Sequence, residues 1–329
     1  MTASFDQALN AARAAAGQQH YPESALYVVA TPIGNLADIS LRALHTLERA
    51  DAIACEDTRH TQPLLRQYGI IGKTLLAVHQ HNELEAALLV IERLQRGQRI
   101  AYVSDAGTPA LSDPGARLVA AVRAAGFRVV PLPGASSVTT VLSAAGVLGE
   151  RGFVFAGFLP AKTAEREAAI AALQSDPRSA VLLEAPHRIE ALARALAVLQ
   201  QRLVTVGREL TKQFEEIATL PADALSGWIA ANSAQRTRGE FALVVHEALA
   251  PAAGHAEATG NAAQTRVLAL LLAELPLKTA VRLAADILNA PRNALYEAAL
   301  KLKNQPLETD PPSDPPTHAG ENPHHEPER

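Results

Sequence analysis

From Ala25 onward, short apolar runs alternate with stretches whose apolar residues recur every three or four positions. The first pattern suits buried strands and the second suits amphipathic helices. Strands are predicted at Ala25–Ala30, Asp51–Cys55, Thr74–Val78, Arg99–Val103 and Phe127–Leu132, with helices at Leu41–Arg49, Thr58–Tyr68, Glu83–Arg96 and Gly115–Ala125. Alternation of this kind with short connections predicts a largely parallel sheet covered on both faces. Leu41, Leu44 and Leu47 step by three along their helix, with Asp38 or Ser40 as its cap.

After a helix at Ser136–Ala145, the glycines at 146, 149 and 152 mark a connector. A second block then predicts strands at Phe153–Phe158, Ser179–Leu183, Leu203–Gly207 and Phe241–His246, separated by helices at Thr163–Gln174, His187–Gln200 and Ala222–Ala231. The expected organisation is a flexible extension over 1–24, an α/β domain over 25–148 and a second over 149–249. A linker follows over 250–263, then a helical segment over 264–304 and a disordered acidic, proline-rich tail over 305–329.

Composition narrows this picture. A length of 329 residues suits two domains, each with its own core. The one cysteine, Cys55, excludes a disulfide framework and a cysteine-built zinc site, which points to a reducing cytoplasm. No apolar run reaches membrane-spanning length. The net charge of −4 is uneven: six acidic residues against one Arg after residue 304 leave the rest of the chain at about +1. Residues 264–304 carry six cations against three acids. Their three short helical patterns suit a helix-turn-helix that exposes Lys278, Arg282, Arg292, Lys301 and Lys303 to RNA, against the plainer alternative of a small packed bundle.

Four loops follow predicted strands, the place where open α/β sheets bind ligands. Thr31–Asn35 joins Pro32 to Gly34 in a tight turn. Glu56–Thr61 crowds Glu56, Asp57, Arg59 and His60 at a strand end, where they can orient a hydroxyl or accept a proton, unless Asp57 simply caps the next helix. Ser104–Gly115 holds two Asp, two Gly and two Pro. There Asp105 is placed to orient a polar ligand, while Asp113 reads as a helix cap before Pro114. Pro131–Ser137 is small enough for a flat group to approach the backbone, or else a turn capped by Ser136. In the second block, Glu184 ends a strand beside His187 and Arg188, as a perturbed carboxylate or as half of a structural ion pair. No dinucleotide fingerprint, phosphate-binding loop or zinc-protease motif is present, and His79 and His81 lack a third ligand, so no metal is expected.

The runs ATPIGNLADIS, CEDTRHTQPLL, VSDAGTPALSDPG, PLPGASSVTTVLSAAG, EAPHR and GRELTKQFEEI, in this order between Leu26 and Val245, closely resemble the ribosomal RNA small subunit methyltransferase I family of the tetrapyrrole methylase superfamily. ELPLKTA resembles that family's C-terminal region. The resemblance implies a two-domain tetrapyrrole-methylase-like fold, a class III methyltransferase, with a small C-terminal helical segment. It also implies S-adenosylmethionine in the cleft between the domains, a homodimer, and methyl transfer to a cytidine ribose 2′-oxygen in the decoding centre of 16S ribosomal RNA. The partner is then small-subunit ribosomal RNA or the assembled 30S subunit.

Carried over by position, the resemblance assigns to the cofactor Pro32, Ser104, Asp105, Ala106, Thr108, Pro109, Leu111, Ser136, Ser137, Leu183, Glu184, Arg208, Gly239 and Phe241. The chain departs from the family at Leu182-Leu183, where aromatics are common, and at Gly207, where Ala is usual. The sulfonium methyl is itself electrophilic, so the reaction needs alignment and a proton acceptor rather than a metal. Glu56, Asp57, Glu184 and His187 are the candidate acceptors, and the sequence does not choose among them. Arg59, Arg188 and Lys212 are candidate phosphate contacts. Two other functions stay open: methylation of a tetrapyrrole precursor, and non-catalytic RNA binding in ribosome assembly.

Overall fold

The computed structural model describes residues 5–149, 151–248, 265–288 and 290–303. The chain divides between Leu249 and Ala250 into two units. In the first unit, β1 (Ala25–Val29), β2 (Ala52–Cys55), β3 (Thr74–Ala77), β4 (Arg99–Val103) and β5 (Arg128–Leu132) form a sheet of order β3-β2-β4-β1-β5. Every pairing in it is parallel, as the alternating pattern predicts. β2 and β4 are buried almost throughout, which explains their unbroken apolar character.

The expected loose extension at the N-terminus is instead a helix, α1 (Asp6–Ala16), whose Leu9, Ala12 and Ala16 are buried. Alanines favour the helix and let it approach α2 (Leu41–Arg49) closely, and Arg13 Nε donates to Glu48 at 2.9 Å. In α2, Leu44 and Leu47 are core, whereas Leu41 is 42% exposed; Ser40, not Asp38, caps the helix.

The remaining helices flanking this sheet are α3 (Thr58–Gln67), α4 (Glu83–Gln95) and α5 (Ala116–Ala124). Asp57 caps α3 by accepting from Arg59 N. The start of α5 corrects the expectation for Asp113. The N-cap is Gly115, at φ +119°, where a Cβ would overlap the Tyr102 ring. The first amides of α5 are satisfied by Glu83 of α4, which accepts from Gly115 N and Arg117 N, each at 3.1 Å. Asp113 is therefore released from helix capping.

The second sheet contains β6 (Phe153–Phe158), β7 (Ser179–Glu184), β8 (Leu203–Arg208), β9 (Glu216–Pro221) and β10 (Phe241–Val245), in the order β6-β7-β10-β8-β9. Only β6 and β7 run parallel; β10 is antiparallel to both β7 and β8, and β9 is antiparallel to β8. α7 (Thr163–Ser175), α8 (Ile189–Leu196), α9 (Leu225–Ala231) and the short α10 (Ser233–Arg236) complete this half. The edge strand β9 is not evident from the apolar pattern.

α6 (Ser137–Ala145) joins the two halves. Its Val138, Val141 and Ala145 share a buried cluster with Val181, Ala242 and Val244 of the second sheet and with Leu210. A common core explains why 1–249 forms one compact unit although it contains two sheets.

The second unit has three described helices, α11 (265–274), α12 (Leu277–Leu288) and α13 (Arg292–Lys303). Leu268, Val281, Ala284, Ala285, Leu295 and Ala299 form its core. Ile287 is 64% exposed, and the buried face of α12 is made by Ala280, Val281, Ala284 and Ala285. The extension residues 1–4, the linker at 250–263 and the tail at 305–329 lie outside the described residues.

Candidate active site

The loops after β1, β4 and β5 are tied to one another by short polar links. Thr31 and Gly107 exchange both backbone hydrogen bonds at 2.9 Å, and Thr31 Oγ1 donates to Ser104 O. Thr108 Oγ1 donates to Ala135 O at 3.0 Å, joining the Asp-rich loop to the Pro-Gly turn. Gly134 sits so near Ala30 that a Cβ would lie 2.7 Å from the alanine Cβ. Ala110 and Ser112 both take positive φ, 66° and 67°, in the same loop. Non-glycine residues hold such angles only where their surroundings enforce them, and such places concentrate at functional sites.

These loops and the ends of β6, β7 and β10 enclose a cleft of about 460 Å³, a size suited to a cofactor. Ten predicted residues line it: Glu56, Asp105, Ala106, Thr108, Leu111, Ser136, Ser137, Leu183, Glu184 and Phe241. Ser136 makes no side-chain cap bond to α6, so its hydroxyl is available to the cleft. The other expected cofactor residues stand behind the wall. Ser104 is buried and donates within its own loop, to Ala106 O and Gly107 O. Arg208 is buried too, and its guanidinium holds the carbonyls of Arg238 and Phe214. Gly239 turns the chain at φ +86° against the Glu209 side chain. Pro32 and Pro109 shape their loops without facing the cavity.

Five acidic residues line the cleft: Glu56, Asp105, Asp113, Glu184 and Glu240, the last paired with Lys212. Burial pushes the Asp113 carboxyl up to about 6, against a hydrogen bond from Ser104, with help from the Asp105 charge. Burial raises Glu56 as well, followed by repulsion from Asp105 and Asp113. Glu184 is only 2% exposed; its Oε1 accepts from Ala185 N and faces Arg188 Nε at 3.2 Å, while Oε2 has no partner among the described residues. A buried acceptor without a donor is costly unless a ligand supplies one.

At the rim, Asp105 Oδ1 accepts from Asp57 N at 3.2 Å, and its Oδ2 lies 2.9 Å from His60 Nδ1. Asp57 is held near 2 by hydrogen bonds from Arg59, which grips it with two guanidinium nitrogens. Asp57, His60 and Asp105 place ligand atoms within 4.8 Å of one another, and these internal bonds account for that proximity.

His187 is exposed beside the cleft and outside its lining. The phosphate candidates of this unit are all engaged internally. Arg59 holds Asp57, Arg188 holds Leu159 O and Glu184, and Lys212 holds Glu209 at 2.8 Å and Glu240 at 3.0 Å. In the second unit Lys278, Arg282, Arg292 and Lys301 are exposed, with Arg292 3.4 Å from Asp286. Lys303 ends α13.

Several lining residues were not among the expected site residues: Ile33 and Ser112, although both lie in loops the sequence marks, and Phe158 and Leu210. Phe158 is the most telling. It pairs with Leu183 across β6 and β7, so an aromatic ring stands one strand away from the leucine that departs from the family pattern.

The model of the tetrapyrrole (corrin/porphyrin) methylases matches residues 25–226, and the RsmI C-terminal HTH domain matches 258–303. Among solved structures, diphthine synthase aligns at a TM-score of 0.51 with 17% identity, covering 68% of this chain and 90% of that one. The methyltransferase CobJ aligns at 0.50 with 18% identity, covering 70% and 96%. These likenesses establish the fold class, a class III methyltransferase. Ribosomal RNA small subunit methyltransferase I of Escherichia coli O157:H7 is 48% identical over 280 residues, 84% of this chain and 94% of the relative. The enzyme of the same name from Pseudomonas aeruginosa is 48% identical over 278 residues, 84% and 96%. That from Mesorhizobium japonicum is 44% identical over 300 residues, 89% and 99%. The chain belongs to the ribosomal RNA small subunit methyltransferase I family.

Proposed function

We propose that this chain uses S-adenosylmethionine, held in the cleft, to methylate the ribose 2′-oxygen of a cytidine in the decoding centre of 16S ribosomal RNA. The observation that carries the reading is a cleft built by strand ends of both sheets, in a chain 48% identical to relatives named for this ribosomal substrate. The residues present fit the cofactor. Ile33, Leu111, Val138 and Leu183 offer apolar walls for a flat base, and the unpartnered Glu184 Oε2 offers an acceptor. The carboxylates Glu56, Asp105 and Asp113 offer negative charge to a cation.

The bound cofactor supplies an electrophilic methyl group on sulfur. The protein aligns the acceptor oxygen, excludes water and takes up a proton. Linked loops with little freedom are suited to alignment, because positioning itself accounts for much of the rate of a transfer between two bound groups. Leu111 and Phe158, half exposed at the mouth, give an apolar rim for the target nucleotide, and single-stranded RNA is read by such stacking surfaces.

The basic helical unit favours RNA over a tetrapyrrole, since a small macrocycle needs no such appendage. A purely RNA-binding role leaves the carboxylate-lined cleft without a use. The active form is a homodimer in the cytoplasm, acting on small-subunit RNA free or within the 30S particle. Among the described residues no helix is long and apolar enough to cross a membrane. The test is transfer of labelled methyl from the cofactor to undermethylated small subunits, with the product nucleotide mapped. A 2′-O-methylcytidine is expected; incorporation into a base, or none, overturns the reading.

A further inference from the structure

We infer that His60 is the group that takes the ribose 2′-proton, with Asp105 as its positioning residue; this rests on the methyltransferase reading above. Asp105 lines the cleft and its two oxygens are both committed, Oδ1 to Asp57 N and Oδ2 to His60 Nδ1. A carboxylate that accepts from Nδ1–H fixes the tautomer that leaves Nε2 as a proton acceptor. Nε2 has no partner among the described residues, and the His60 side chain is 69% exposed, beside the cleft-lining Asp105.

The other candidate acceptors are less suited. Asp57 is spent on Arg59 and on the cap of α3. His187 has no orienting partner among the described residues. Glu184 lies at the cleft floor, tied to Arg188. Glu56 and Asp113 line the interior among like charges, where a cationic cofactor would be their natural partner.

In the transfer, an oxygen lone pair forms the new O–CH₃ bond as the methyl–sulfur bond breaks, and the broken bond's electron pair stays on sulfur as a neutral thioether. The 2′-proton passes to His60 Nε2 and then to solvent, so charge and atoms balance without a further reagent. The charged groups facing the imidazole are Asp105 across the cleft edge, and Asp57 and Arg59 on its own loop. Asp105 raises the His60 pKa above the ordinary histidine value by its hydrogen bond, ahead of its charge. The neutral, accepting form therefore gains population as pH rises through that raised value.

The experiment is single-turnover methyl transfer by the full chain to undermethylated small subunits, at saturating cofactor, from acid to mildly alkaline pH. The wild-type rate should climb with pH and level off. His60→Gln should lower the plateau by roughly 100-fold and flatten the climb, a loss typical of a missing general base, with cofactor affinity unchanged within about 2-fold. Imidazole added to His60→Ala should restore part of the rate. A His60→Gln enzyme with the wild-type rate and profile overturns the inference while leaving the methyltransferase reading intact. So does a wild-type rate that falls as pH rises, which would mark the imidazolium as a phosphate clamp. If the wild type transfers no methyl to ribose, both fall together.

Discussion

The two sheets of the first unit build the same cleft by different means. In the all-parallel sheet every strand delivers its carboxyl end to one edge, so the loops after β1, β2, β4 and β5 arrive side by side. The mixed sheet brings carboxyl ends from β6 and β7 but the amino end of β10, because β10 runs antiparallel to β7 and sets Phe241 opposite Glu184. The parallel half presents loops rich in Gly, Pro and Asp, whose backbone conformations are set by local chemistry. The mixed half presents side chains at strand termini, whose places are set by register. A site assembled in this way has one half vulnerable to backbone change and one half vulnerable to side-chain change.

The sharpest test of that division is Gly115→Ala. A Cβ at φ +119° meets the Tyr102 ring, so the expected loss is about 3 kcal/mol, roughly 6–12 °C in Tm by thermal unfolding. An unchanged Tm would show that the Asp-rich loop tolerates rearrangement. On the mixed side, Glu184→Gln keeps the shape and removes the charge. Cofactor affinity should fall about 10-fold by calorimetry, the loss of a charged hydrogen bond, while Tm shifts little. A larger effect on folding than on binding would reassign Glu184 as a structural partner of Arg188.

A smaller effect concerns pH. Asp113 has a folded pKa of about 6 against an ordinary 3.8, so its folded state binds more protons between these values. Its contribution to stability is complete below 3.8 and is lost as pH rises through about 6. The apo protein should therefore lose a little stability over that window, and Asp113→Asn should abolish that slope. A cation bound beside it favours the ionised form. Cofactor affinity should improve as pH rises through about 6, with proton release seen by calorimetry in buffers of different ionisation enthalpy.

The smallest effect separates two kinds of cation. Lys212 is clamped between Glu209 and Glu240, and Lys212→Ala should leave the salt dependence of RNA binding unchanged. Arg282, exposed on α12, should on replacement by Ala weaken RNA binding about 3-fold and lower the salt slope by about 1. Equal slopes for the two variants would contradict the role given to the helical unit.

Much of this was legible in the sequence because the parallel half announces itself locally. Glycine and proline at strand ends, followed by amphipathic helices, identified the loops around Asp105 and Ser136 and the strands beneath them. The register-dependent parts were not legible. Phe158 enters the cleft only because β6 pairs with β7, and the alternating burial of β9 at the sheet edge leaves no continuous apolar run. Asp113 looked like a cap because Asp-Pro opens many helices, yet a carboxylate from another helix had already taken that task. Alanine-rich α1 looked unstructured because its burial is carried by small side chains.

Glu83 ties the shape of the cleft to a helix that none of the signature runs contains. The turn presenting Asp113 is anchored by an acid 32 positions upstream of Gly115. Swapping α4 between family members would preserve methyl transfer only if the donor segment brought an acidic residue to that first turn. Otherwise the exchange would untie a loop whose own letters had not changed.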